Sequence, residues 1–176
     1  MLFLKGGSIM VLNIPVLDKD IEKLNVGDVI KINGYILCGR DAALPRLIKK
    51  LDSGDKKFLK IVDGGLIFHT AVSVAGVGPT SSNKFEIESS IIPLSKYGIK
   101  IHLGKGKLSK QTIESLEKYN SIYCVIPPVT ALLNDKVLEK ELIAFPELGM
   151  EAFYRLKVKN YPAIVAAAHG RSIYDK

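Results

Sequence analysis

Residues 99–126 carry the pattern that most narrows what this chain can fold into. An apolar run, Ile99–Leu103, ends in Gly104-Lys105-Gly106. An amphipathic stretch follows at Ser109–Tyr119, with Ile113 and Leu116 on one face, and then a second apolar run, Ile122–Ile126. Strand, helix and strand at this spacing predict a βαβ unit, whose two strands run parallel because the helix returns the chain to its start. Pro127-Pro128 closes the unit.

The other segments are strand-rich. Val11–Pro15 reads as an extended entry, and Asp18 as the cap of a short helix through Leu24. Val29–Leu37 alternates around Asn33-Gly34, a two-residue hairpin signal that buries Ile30, Ile32, Tyr35 and Leu37. Asp41 is placed to cap a helix with Leu44, Leu47, Ile48 and Leu51 as its stripe and Pro45 in its first turn. Leu59–Val62, Leu66–Thr70 and Ala71–Ala75 read as β runs, and Gly76–Asn83 as a turn-rich loop. Phe85–Leu94 reads as a helix with Ile87, Ile91 and Leu94 inward, and Thr130–Leu133 as a short helical start. Glu141–Phe145, Phe153–Val158 and Ala163–Ala168 complete the strands. The expected class is mixed α/β with few helices.

Composition removes several functions. The 176 residues suit one domain, expected at 11–176 behind an N-terminal extension, 1–10, with Met10 a second candidate start. No apolar run approaches the roughly 20 residues of a membrane span. The first ten residues are too short for a secretion signal, so a cytoplasmic protein is expected. The net charge of +7 raises nucleic-acid binding, but the lysines are scattered, aromatics are 7% and tryptophan is absent. An anionic small substrate or an acidic partner subunit fits the charge equally well, and no nucleic-acid partner is expected. Cys38 and Cys124 lie in apolar strand contexts and read as buried free thiols. His69, His102 and His169 lack metal-ligand spacing and read as packed or surface histidines.

Candidate chemistry gathers in Gly78–Gly106. Gly78-Pro79 precedes the consecutive hydroxyls Thr80, Ser81 and Ser82, with Lys84 next, while Lys105 stands between glycines at the carboxyl end of a strand. Backbone N–H groups, hydroxyls and an ammonium in such loops can meet one anion, and α/β sheets bind ligands at this strand end. Arg40 occupies the same kind of strand-to-helix junction. Each also has a plain reading: a surface arginine in an ion pair, a helix cap, a turn lysine.

The order of motifs carries more than any one of them. Val-Gly-Asp-Val (26–29), Gly-Arg-Asp-Ala-Ala (39–43), Gly-Pro-Thr-Ser (78–81), Gly-Lys-Gly (104–106), Glu-Leu-Gly-Met-Glu-Ala (147–152) and Tyr-Pro-Ala-Ile-Val (161–165) occur in sequence. Over about residues 14–175 this resembles the beta subunit, or C-terminal domain, of class I iron–sulfur fumarases and L(+)-tartrate dehydratases. The resemblance implies a swivelling β/β/α domain and reversible hydration of fumarate to malate. It also implies an alpha partner that carries the [4Fe–4S] cluster, with no metal ligand in this chain. The substrate would be a small dicarboxylate. Arg40 would bind one carboxylate and Lys105 the second, Thr80 would stand at the proton-transfer position, and Ser81 and Lys84 would contact substrate.

Three positions depart from the family pattern. Lys84-Phe85-Glu86 stands where Arg-Met-Asp is usual, Leu44 stands where a histidine follows Arg-Asp-Ala-Ala, and a second Gly-Pro after the strand at 66–70 is missing. These bear on substrate identity. Tartrate or another 2-hydroxy diacid is the alternative substrate, and a non-catalytic anion- or nucleic-acid-binding module is the alternative of another class.

Overall fold

The computed structural model describes residues 9–73, 76–80, 84–127 and 134–175, with side chains described throughout these except at 73, 76–80, 84–86 and 134. The chain order is β1 (Ile9–Asn13), α1 (Asp18–Glu22), β2 (Val29–Gly39), α2 (Ala43–Asp52), α3 (Lys56–Val62), β3 (Leu66–Ser73) and β4 (Gly76–Thr80). There follow α4 (Lys84–Lys96), β5 (Ile101–Gly104), α5 (Lys110–Lys118), β6 (Ile122–Val125), β7 (Val137–Ala144), β8 (Phe153–Ala168) and β9 (Arg171–Ser172). Two 3-10 turns, Asn134–Lys136 and Pro146–Glu151, flank β7.

The strands run in the order β1-β2-β3-β5-β6-β8-β7, with β4 added to β3 and β9 to β8. A further antiparallel pairing of β2 with β8 bends the sheet back on itself. Two β layers therefore face each other. Ile30, Ile32, Ile36 and Cys38 of β2 meet Leu66 and Phe68 of β3, Ile101 and Leu103 of β5, and Leu156, Val158 and Tyr161 of β8 between them. Helices cover the outside. Leu44, Leu47 and Leu51 of α2 pack with Phe58 and Val62 of α3 on Leu37, Ile67 and Phe153. Ile87 and Ile91 of α4 meet Ile113 and Leu116 of α5 over Tyr123 and Ala166. This is the expected mixed α/β class with a β/β/α layering. No helix among the described residues is long and apolar enough to cross a membrane.

The βαβ unit forms as expected. β5 and β6 are parallel, with Ile101 opposite Ile122 and Gly104 opposite Val125. Ser109 caps α5, its Oγ accepting the Thr112 N–H at 3.3 Å.

Four local expectations are corrected. Asn33-Gly34 is no hairpin, because β2 runs straight through it. The register with β8 shifts there, Ile32 facing Tyr161 and Gly34 facing Val158, so the extra residue lies on β8. Asn33 braces this bulge, its Oδ1 accepting the Asn160 N–H at 2.8 Å and its carbonyl the Ile14 N–H at 2.9 Å. With no turn, Tyr35 is half exposed under Arg155 and Ile36 takes the buried place.

Leu59–Val62 lies in helix α3, not a strand. Asp55 caps it, accepting the Lys57 N–H at 3.1 Å, and Phe58 and Val62 bury one helical stripe. An apolar run this short does not distinguish strand from helix. Gly76–Thr80, expected as loop, is strand β4, antiparallel to β3 with Val72 opposite Val77 and Thr70 opposite Thr80. Its glycines and Pro79 hide a strand that an edge position tolerates.

The fourth concerns caps. Leu17 and Ala42, rather than Asp18 and Asp41, precede α1 and α2, and Asp20 instead accepts the Leu17 N–H at 2.9 Å. The Thr130–Leu133 expectation lies outside the described residues.

Candidate active site

The register of the parallel strands sets the candidate residues in a row. Gly39, the last residue of β2, is opposite His69 of β3. Phe68 is opposite Leu103 of β5, which makes His69 level with Gly104, and Gly104 is opposite Val125 of β6. Arg40, Thr70, Lys105 and Ile126 each follow directly on this row, at the carboxyl edge of the sheet. Neighbouring strands are about 4.8 Å apart, so the Arg40 and Lys105 backbones are separated by ~10 Å with β3 between them. Thr70 is paired with Thr80, which puts the end of β4 between the two cations in this row.

Each position has a local cause. Gly39 is small because a Cβ there would lie 3.0 Å from Leu44 Cδ2. The Leu44 N–H donates to the Arg40 carbonyl at 3.0 Å, which turns the chain from β2 into α2 directly after the arginine. Leu44 itself is buried among Leu47, Phe58 and Phe153, so it brings an apolar filler and no polar group beneath Arg40. Gly104 is small because a Cβ would lie 2.9 Å from the Tyr123 hydroxyl. Lys105 is exposed, and Gly106 follows at φ +87° with no atom within 4 Å of where a Cβ would stand. Arg40 and Lys105 therefore both emerge where a strand passes into a helix, where backbone N–H groups favour anions.

Arg40 is held. Its Nε donates to Glu151 Oε1 at 2.6 Å, and Nη2 pairs with the same oxygen. Glu151 Oε2 is buried and has no hydrogen-bond partner among the described residues. Glu151 belongs to the Glu-Leu-Gly-Met-Glu-Ala motif, to which sequence reading attached no chemistry.

Behind the row lies a buried polar chain that sequence reading did not pair. His69 Nε2 is 3.3 Å from His102 Nδ1, and His102 Nε2 is 2.8 Å from Ser95 Oγ of α4. Burial lowers both imidazoles, His69 to about 4 and His102 well below its usual value, so both are neutral near pH 7. Each was expected as a packed or surface histidine, and each is fully buried. Only the register of β3 with β5 joins them.

The Thr80 and Lys84 side chains and all of Ser81 lie outside the described residues; Thr80 ends β4 and Lys84 begins α4. Arg40 and Lys105 are thus brought to one edge with the Thr80 backbone between them.

The described residues do not fit an iron–sulfur cluster. Among the described residues no three His, Cys, Asp or Glu side chains converge on a metal position. Cys38 and Cys124 are buried, and burial pushes both thiols up, away from the thiolate a cluster needs.

Comparison with known proteins agrees with the motif order. A protein of Methanocaldococcus jannaschii provisionally named L(+)-tartrate dehydratase subunit beta is 34% identical over 173 residues, covering 90% of this chain and 87% of that protein. The L(+)-tartrate dehydratase subunit beta of Escherichia coli is 30% identical over 177 residues, covering 93% of this chain and 85% of its own length. Fumarate hydratase 2 of Leishmania major is 28% identical over 167 residues, 90% of this chain but 29% of that enzyme. The chain thus spans most of the tartrate dehydratase beta subunits and under a third of this fumarate hydratase. The family described as Fumarase C-terminus matches residues 6–176. The chain belongs to the Fumarase C-terminus family.

Proposed function

We propose that this chain is the beta subunit of a hydro-lyase that interconverts malate and fumarate together with an alpha subunit. The observation that carries this reading is the row of Arg40, Thr70 with Thr80, and Lys105 along the carboxyl edge of the sheet. When malate becomes fumarate, C3 loses a proton, the C2–O bond breaks and the hydroxyl leaves as water. Arg40 binds one carboxylate through parallel N–H bonds. Lys105, on the far side of β3, holds the other and stabilises charge that gathers on it as C3 is deprotonated. The Thr80 hydroxyl meets the proton at C3. A threonine is a poor base alone, so a carboxylate of the partner accepts or tunes that proton. Ser81 and Lys84 complete the substrate contacts, Lys84 as a point charge without the guanidinium fork usual there. The reading assigns the [4Fe–4S] cluster to the alpha subunit, because the cysteines here are buried thiols, and leaves binding and proton handling to this chain.

A second substrate is favoured by one observation: the relatives matched over most of their own length carry tartrate dehydratase names. L(+)-tartrate loses water by the same steps and gives the enol of oxaloacetate.

Anaerobic co-expression with the cluster-bearing alpha subunit, followed by separate assays on malate and L(+)-tartrate, tests both. Turnover of one diacid by the complex, and none by this chain alone, is expected. A cluster-loaded complex that dehydrates neither would end the reading.

A further inference from the structure

The segment Pro146–Glu151 forms a 3-10 turn whose two glutamates reach back to the β2–α2 junction. Glu147 pairs with Arg46 of α2, and Glu151 with Arg40 just before that helix. The turn is braced at both levels. Phe145, in front of it, stacks on Phe58 at 6.3 Å between ring centres and lies under the Arg46 guanidinium. Leu148 packs on the core beneath α2. Glu151 therefore arrives at Arg40 on a fixed support.

The contact with Glu151 uses the Nε edge of the guanidinium. A guanidinium offers two forks, one from Nε with the Nη beside it and one from the two Nη groups at its end. Glu151 Oε1 takes both donors of the Nε edge, at 2.6 Å from Nε and in contact with Nη2. Its second oxygen, Oε2, is buried without a partner among the described residues. A carboxylate oxygen removed from water without a donor is unfavourable. A half-exposed ion pair adds little stability by itself, so the pair is poorly explained by fold stability.

We infer that Glu151 is the positioning residue of Arg40, gripping the guanidinium by its Nε edge and so setting the orientation in which it meets the substrate carboxylate. The inference rests on the hydroxy-diacid reading of the site. A free arginine side chain populates many rotamers and can offer either fork, and a pre-set one loses less freedom on binding. The grip acts on ground-state binding of one carboxylate, away from the proton transfer. Its removal therefore falls on KM rather than kcat. A lysine at position 40 has no Nε edge, so Glu151 has nothing there to orient.

Steady-state kinetics of the alpha–beta complex with malate and L(+)-tartrate test this in five forms: wild type, Glu151→Gln, Glu151→Asp, Arg40→Lys and the Glu151→Gln/Arg40→Lys double variant. Glu151→Gln should raise KM about tenfold with kcat within about threefold, Glu151→Asp should recover part of the loss, and the double variant should be no worse than Arg40→Lys. Wild-type kinetics for Glu151→Gln, or losses that multiply in the double variant, would overturn the inference. A second readout is independent of turnover. In the ¹H–¹⁵N spectrum of the full-length chain, the Arg40 Nε–H, identified by its loss in Arg40→Lys, should exchange slowly in wild type. It should exchange rapidly in Glu151→Gln while the backbone amide spectrum stays dispersed. An Nε–H that exchanges as fast as in free arginine in the wild-type chain would also overturn it. A complex inert towards both diacids, with the Nε–H still protected by Glu151, would end the substrate reading and leave the grip standing.

Discussion

His69 Nε2 and His102 Nδ1 lie 3.3 Å apart in the interior, one strand from the other, with Ser95 closing the chain at 2.8 Å. Burial holds both rings neutral, and His69 titrates at about 4 in the folded chain. The unfolded chain takes up protons below about 6.5, where the folded chain does not. Stability is therefore full above that pH and falls as pH drops, by about 1.4 kcal/mol per pH unit for each imidazole. Urea unfolding between pH 7.5 and 5, above the main carboxylate range, should show this fall. Replacing both rings by apolar residues should flatten it. A wild-type midpoint constant across the window would contradict the neutral pair.

Gly104 and Tyr123 form a matched contact. A Cβ at Gly104 would stand 2.9 Å from the Tyr123 hydroxyl, which is buried and has no hydrogen-bond partner among the described residues. Gly104→Ala should cost about 1–3 kcal/mol through overpacking. Tyr123→Phe removes an unpartnered oxygen and should be nearly neutral alone. Combined, the two should lose much less than Gly104→Ala does, as a denaturant-based double-mutant cycle would show. Additive losses would mean that the hydroxyl is not what excludes the Cβ.

Gly34 presents the opposite case. It sits at φ +108°, and a Cβ would lie 2.9 Å from the backbone oxygen of Ile14, which no side-chain change can remove. Gly34→Ala is expected to cost at least about 1 kcal/mol, with no rescue from substitution at Ile14. A melting temperature equal to wild type would contradict the close approach of β2 to the end of β1.

Lys105 is exposed, so a truncation there removes little buried surface. Lys105→Ala should melt like wild type, yet lower kcat of the complex on its order of action, about a hundredfold or more. Near wild-type turnover in a stable variant would remove Lys105 from the site.

The parts legible in sequence were those written locally. The Ile113 and Leu116 spacing marks α5, and the glycines around Lys105 mark the end of β5. Arg40 stood out because a helical stripe, Leu44, Leu47 and Leu51, follows it at once. Asn33-Gly34 misled because a turn dipeptide can equally sit in a long strand, where the β8 bulge at Asn160 absorbs the irregularity. Leu59–Val62 looked extended because three apolar residues broken by Lys60 have no readable period. Glu151 was invisible as a partner of Arg40 because 111 residues separate them. His69 and His102 could be read as buried, but only the register of β3 with β5 makes them a pair.

The most direct test of the central claim is a crystal structure of the alpha–beta complex with a bound hydroxy diacid. The account predicts one carboxylate on the Arg40 guanidinium, the other within hydrogen-bond reach of the Lys105 ammonium, and the carbon that loses its proton beside the Thr80 hydroxyl. A productively bound diacid that touches neither Arg40 nor Lys105 would contradict it.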